Sequence, residues 1–147
     1  MFAKQKQLIV ASTPSLMFFL LDRVGKYIAQ SNPEYSWYII EHWLGWEYHA
    51  NPGVAFGIPV AQNFLLVATP LLLIVLSFFF FEYKLSRTPL AFFAWSLIFF
   101  GAISNYIDRF AYSVTIDYIR VTTSILNIAD IMIVVGGVLL LWKFQKK

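Results

Sequence analysis

The sequence predicts an all-α integral membrane protein of four transmembrane helices, with a short non-helical or interfacial segment after the first. Three observations predict it. Hydrophobic residues make up 59% of the 147 and charged residues only 13%, against roughly 25% charged in a soluble domain. The 15 Phe, 8 Tyr and 5 Trp belong to the residue types that fill bilayer cores and belt their interfaces. Four apolar runs each supply the roughly 20 helical residues that cross about 30 Å of hydrocarbon. A chain of this length accommodates one domain, residues 1–147.

The first span is expected over residues 8–29, with Pro14 near its start and Asp22, Arg23 and Lys26 near its end. Lys4 and Lys6 ahead of an apolar run resemble a signal peptide. No small-residue cleavage site follows, so a retained span is expected. Residues 30–61 alternate aromatic and polar groups through Tyr35–Tyr38, Trp43 and Trp46–Tyr48. That pattern suits short β-strands or an amphipathic piece lying at the interface. The second span, residues 62–81, carries no charge. The third, residues 89–107, opens on Pro89, a favoured first-turn residue. The fourth, residues 124–142, carries one charge, Asp130.

The cations orient these spans. Lys4, Lys6, Lys84, Arg87, Lys143, Lys146 and Lys147 fall on one side, whereas residues 30–61 and 110–123 contain only Arg120. Loops rich in Lys and Arg stay cytoplasmic, so both termini are expected inside. The net charge of +3 follows this topology and forms no basic stripe, so no nucleic-acid partner is expected. The absence of Cys excludes disulfides, thiolate catalysis and Cys-ligated metals. His42 and His49 read as interfacial residues; no metal or cofactor is expected.

The unusual polar residues then gather at the outer face: Asp22 and Lys26 one turn apart, Asn51 before Pro52-Gly53, and Asn105, Asp108 and Arg109 closing the third span. Asp117 follows in the second outer loop, and Asn127 and Asp130 lie just inside the fourth span. At a rise of 1.5 Å per residue, Asp130 is expected roughly 9 Å below Ser124, on one helical face with Asn127. Read singly, Asp22–Lys26 and Asp108–Arg109 suit helix-end ion pairs, Asn51 a turn and Asp117 a solvated charge. Asp130 differs, because a carboxylate inside a span is costly and marks function by default. The loop between Asp117 and Asp130 lets the chain double back. Two facing carboxyls in low dielectric would share a proton, the arrangement of an aspartic protease. The alternatives are a small transporter or proton-relay subunit and a non-catalytic membrane anchor.

With these residues assembled, the chain resembles the lipoprotein signal peptidase (signal peptidase II) family. The blocks that carry the resemblance are Asp22-Arg23-Val24-Gly25-Lys26, Asn51-Pro52-Gly53-Val54-Ala55-Phe56, Ser104-Asn105-Tyr106-Ile107-Asp108-Arg109, Thr115-Ile116-Asp117-Tyr118-Ile119 and Asn127-Ile128-Ala129-Asp130. Ser104 stands where the family has Gly and Leu126 where it has Phe; the stretch from Asp117 to Asp130 is short. The resemblance implies Asp117 and Asp130 as catalytic dyad. It also implies Asn51, Asn105, Asp108, Arg109, Asn127, Asp22 and Lys26 as supporting or substrate-binding residues. It further implies a bacterial inner-membrane enzyme acting on diacylglyceryl-modified prolipoproteins; a monomer among membrane lipid is expected. A small extracytoplasmic β-cradle with an interfacial helix is the implied form of the outer segment.

Overall fold

The computed structural model describes residues 2–54, 58, 60–83 and 88–145, and side chains within these apart from residues 2–7 and 144. The chain runs α1 (Phe2–Ser31), β1 (Ser36–Ile40), β2 (Leu44–Asn51), α2 (Gln62–Glu82), α3 (Pro89–Tyr112), β3 (Thr115–Val121), β4 (Ser124–Leu126) and α4 (Ile128–Gln145). Lys84, Arg87, Lys146, Lys147, Ala55 and Phe56, used above for topology and motif, lie outside the described residues.

Among the described residues, three helical stretches are long and apolar enough to cross a membrane: Leu8–Ser31, Gln62–Glu82 and Pro89–Tyr112. Their surfaces agree. Val67, Leu72 and Ile74 of α2 are 68%, 66% and 66% exposed, a display that lipid tolerates and water does not. Pro14 and Pro70 sit inside α1 and α2 without ending them, as spanning helices allow when neighbours re-satisfy the freed backbone groups.

Lipid is as apolar as leucine, so close backbone approach and interhelical hydrogen bonds hold such helices together. Both occur. Helix α3 is the hub, packing on α4 and α1 and less on α2. A Cβ at Gly101 would stand 2.7 Å from the carbonyl oxygen of Ala129, so α3 and α4 meet where only glycine fits. Ser15 and Ser96, both buried, join α1 to α3 by a 2.7 Å hydroxyl–hydroxyl bond.

At one end of the bundle the four strands form one antiparallel sheet in the order β1-β2-β3-β4. Trp46, Tyr48, Ile116, Tyr118 and Ile119 pack over Ala29 of α1 and seat the sheet on the helices. A bulge between Trp46 and His49 interrupts the β2–β3 register, beyond which His49 pairs with Asp117 and Asn51 with Thr115.

Two sequence expectations are corrected. Residues 124–126 belong to β4, and α4 begins at Ile128, so Asp130 lies in the first turn of α4 and not roughly 9 Å down a helix from Ser124. The outer stretch after α3 is a β3–β4 hairpin rather than a loop, and α3 itself continues to Tyr112. It stops there because Ser113 adopts φ 61° and donates its N–H to the Arg109 carbonyl at 3.0 Å, a left-handed helix end. The outer segment took the strand form: among its described residues, 32–60 hold β1 and β2 and no further helix.

Candidate active site

Every sequence-predicted site residue comes to the junction between bundle and sheet. Asp22, Lys26, Asp108 and Asn127 are fully buried, Asp117 is 1% exposed, and Asn105 and Asn51 are buried. Asp130 and Arg109 are half-buried.

The local sequence explains the placement of Asp130. Asn127 precedes the first turn of α4, and its Oδ1 accepts the Asp130 N–H at 2.9 Å. In return Asp130 Oδ2 accepts the Asn127 N–H at 3.2 Å. This reciprocal capping box satisfies two donors that a helix start leaves free. Asn127 is therefore the cap of α4, not a residue on the same helical face as Asp130. The second carboxylate oxygen, Oδ1, accepts from Asn105 Nδ2 at 2.8 Å.

Asp117 is held from two other elements. Asn51 Nδ2 of β2 donates to its Oδ2 at 2.9 Å, and Asn127 Nδ2 donates to its Oδ1 at 2.6 Å. Asn51 also closes the turn after β2, its Oδ1 accepting the Gly53 N–H at 2.9 Å. Both carboxyls face one cavity of about 260 Å3, walled by Asn51, Ser124, Ile125 and the α4 residues Ile131, Val134 and Val135. Burial, and after it the charge of Asp130, pushes Asp117 up to about 7. One carboxyl of such a pair keeps its proton near neutral pH.

Behind the pair lies a buried ion network that the sequence reading caught only in part. Lys26 Nζ sits 3.0 Å from Asp22 and 2.8 Å from Asp108, and donates to Asn105 Oδ1 at 2.6 Å. Asp108 turns toward α1, to Lys26 and to Arg23 at 2.5 Å, instead of pairing with neighbouring Arg109. Two carboxylates meet two cations, so the network is neutral, which burial demands. Asp22 additionally accepts the Ala129 N–H at 3.1 Å, so a carboxylate from α1 helps cap α4. Arg109 lies in the field of Asp130, Asp117 and Asp108. Its Nε is buried with no hydrogen-bond partner among the described residues.

Three participants escaped sequence reasoning. Arg23, between Asp22 and Lys26, carries no role that its sequence position implies. Ser104, which stands where the family has Gly, donates its hydroxyl to Asp22 at 2.6 Å. Tyr118 donates to Asp22 Oδ1 at 3.0 Å, and its ring end lies 2.6–2.9 Å from where a Cβ on Gly25 would be. Gly25→Ala is therefore expected to destabilise the fold by about 1–3 kcal/mol, the usual cost of overpacking, read as a lowered unfolding midpoint in detergent. An unchanged midpoint would show that Tyr118 moves aside freely.

The sequence model of the signal peptidase (SPase) II family matches residues 15–146. The chain is 34% identical over 129 residues to the lipoprotein signal peptidase of Syntrophomonas wolfei, covering 86% of each chain. It is 32% identical over 133 residues to that of Staphylococcus aureus, covering 83% of this chain and 79% of the relative. A bacterial membrane enzyme solved by the in meso method at 2.3 Å superposes with a TM-score of 0.82 at 29% identity, over 95% of this chain and 87% of that one. A second, solved at 1.9 Å, gives 0.78 at 29% identity, over 95% and 93%. The chain belongs to the signal peptidase II family of membrane proteases.

Proposed function

We propose that the chain is an aspartic endopeptidase whose catalytic pair is Asp117 and Asp130. As a member of the signal peptidase II family it removes signal peptides from prolipoproteins. The observation that carries the aspartic reading is that two carboxyls, from β3 and α4, line one cavity while amide donors fix each of them. The chain has no Cys to act instead.

The reaction follows from one shared proton. The ionised carboxylate takes a proton from water as the water oxygen attacks the scissile carbonyl carbon. The protonated carboxyl gives its proton to the carbonyl oxygen, forming a gem-diol. On collapse, the pair returns one proton to the departing nitrogen and takes one from a diol hydroxyl, so the C–N bond breaks and the pair again holds one proton. A singly protonated pair carries one negative charge, which Arg109 balances.

Topology fits the same reading. With α4 as a fourth crossing and Lys143 in its last turn, both termini are cytoplasmic and the sheet faces outward in a bacterial inner membrane. A lipidated Cys held in the outer leaflet would bring its peptide bond to the bundle–sheet junction. The substrate is then a diacylglyceryl-modified prolipoprotein, cut just before the lipidated Cys by a monomer embedded in lipid.

The test is cleavage by the purified chain in detergent, with products identified by mass spectrometry. Release of a signal peptide ending one residue before the lipidated Cys is expected, with the unlipidated precursor left intact. A folded chain that cuts neither, or that conducts protons in proteoliposomes, overturns the proposal. The pH profile is a second test. Asp117 at about 7 predicts that kcat falls about tenfold per unit above neutral pH, as the pair loses its shared proton. A flat profile to roughly pH 9 excludes a shared proton on this pair.

A further inference from the structure

Two cavities meet at Asn51, Ser124 and Ile125. The dyad cavity is closed by Ile131, Val134 and Val135 of α4, all of them exposed on the bundle surface at 46%, 64% and 41%. On its other side lies a cavity of about 270 Å3, lined further by Glu47, His49, Arg120 and Thr123. The reaction described above uses none of these four.

This second cavity has a rigid and neutral floor. Arg120 donates to Glu47 through Nε at 2.5 Å and Nη2 at 3.0 Å, and through Nη1 to the Thr122 carbonyl at 3.2 Å. Tyr38 adds a hydroxyl bond to Glu47 at 2.8 Å. His49, exposed, stands opposite Asp117 across β2 and β3. From the dyad there are thus two ways out of opposite character, an apolar wall toward lipid and a polar cleft over the sheet.

A chain cut at the dyad also has two parts of opposite character. The signal sequence and the lipid are soluble in the bilayer. The mature chain is polar, and each peptide group that entered hydrocarbon would lose its hydrogen bonds to water. We propose that the polar cleft seats the first residues after the lipidated Cys, about three of them in extended form, or roughly 10 Å of chain. It accepts small or polar side chains there and disfavours bulky apolar ones. The inference rests on the peptidase reading above and extends it to the product side of the scissile bond.

The test uses lipidated substrates that end at the Cys or one to six residues later. For the parent enzyme, kcat/KM is expected to rise about tenfold over the first three added residues and then level off, the increment of one or two net hydrogen bonds. In Thr123→Trp, whose indole would fill the cleft, the long-to-short ratio is expected to fall to about one. A covalent probe is independent of that variant's folding. The chain has no Cys, so His49→Cys in an Asp117→Asn background carries a single thiol. Under mild oxidation it should cross-link to a prolipoprotein bearing a second, unmodified Cys about three positions after the lipidated one. A Cys placed in the signal sequence should not react. Parent turnover independent of substrate length, or a cross-link only to the signal sequence, overturns the cleft assignment while leaving the peptidase reading intact. Failure of the parent to cut substrates of any length overturns both.

Discussion

Asp117→Asn and Asp130→Asn are each expected to lower kcat for prolipoprotein cleavage by about 1,000- to 10,000-fold, the upper range of a positioned acid–base group. The double variant should be little worse than either single one, because the two carboxyls act as a unit. Stability separates this loss from misfolding. Asp117 is held up at about 7 in the folded chain, against about 3.9 for a free aspartate. The folded chain therefore binds the proton more tightly than the unfolded one. The stability this confers is full below pH 4 and is lost as pH rises through about 7. Three units at 1.36 kcal/mol each set an upper bound of about 4 kcal/mol. Asparagine imitates the protonated carboxyl and cannot ionise. Asp117→Asn should thus melt with the parent near pH 4 and above it near pH 8, while remaining inactive at both. A variant that is folded and turns over like the parent removes that residue from the dyad.

What the sequence revealed followed from solvation. In a chain this apolar, each Asp, Asn or Lys near a span end carries an energetic cost, so the nine site positions stood out against a hydrophobic background. The uncharged run 62–81 predicts a span with near-exact bounds, and it forms Gln62–Glu82. Other boundaries failed for local reasons. Asp108-Arg109 reads as the water-facing end of a span, yet those residues turn inward and α3 continues to Tyr112. The β3–β4 hairpin turns through Thr122 and Thr123, without the Asn-Gly or Asp-Gly that signals such turns. Thr122 takes φ 55° all the same, a conformation that β-branched residues rarely adopt. Without that turn signal, β4 merged with the apolar run of α4, and the capping role of Asn127 disappeared with it. The ion network was legible only within α1: Asp22 and Lys26 are one turn apart, whereas Lys26 reaches Asn105 across 79 positions, a separation that no local period encodes.

That network gives the largest expected effect on stability. Lys26 is fully buried and, among the described residues, is the one cation touching both Asp22 and Asp108, while Arg23, one-quarter exposed, pairs with Asp108 and not with Asp22. Lys26→Met keeps the volume and removes the charge, leaving Asp22 buried without a counter-ion. Breaking a buried pair in this way costs about 3–5 kcal/mol, a large share of the roughly 5–15 kcal/mol that holds a typical fold. Activity should fall as well, because Asn105 loses the donor at 2.6 Å that orients its amide toward Asp130. A second substitution tests the cause. Asp22→Asn alone should destabilise the parent, since it leaves Lys26 with an excess of charge. In the Lys26→Met background the same change should stabilise, because Asp108 and Arg23 then balance. This inversion of sign distinguishes charge compensation from simple packing. Should Asp22→Asn be equally harmful in both backgrounds, Lys26 serves the fold through shape and its hydrogen bonds, and the neutrality argument for the network fails.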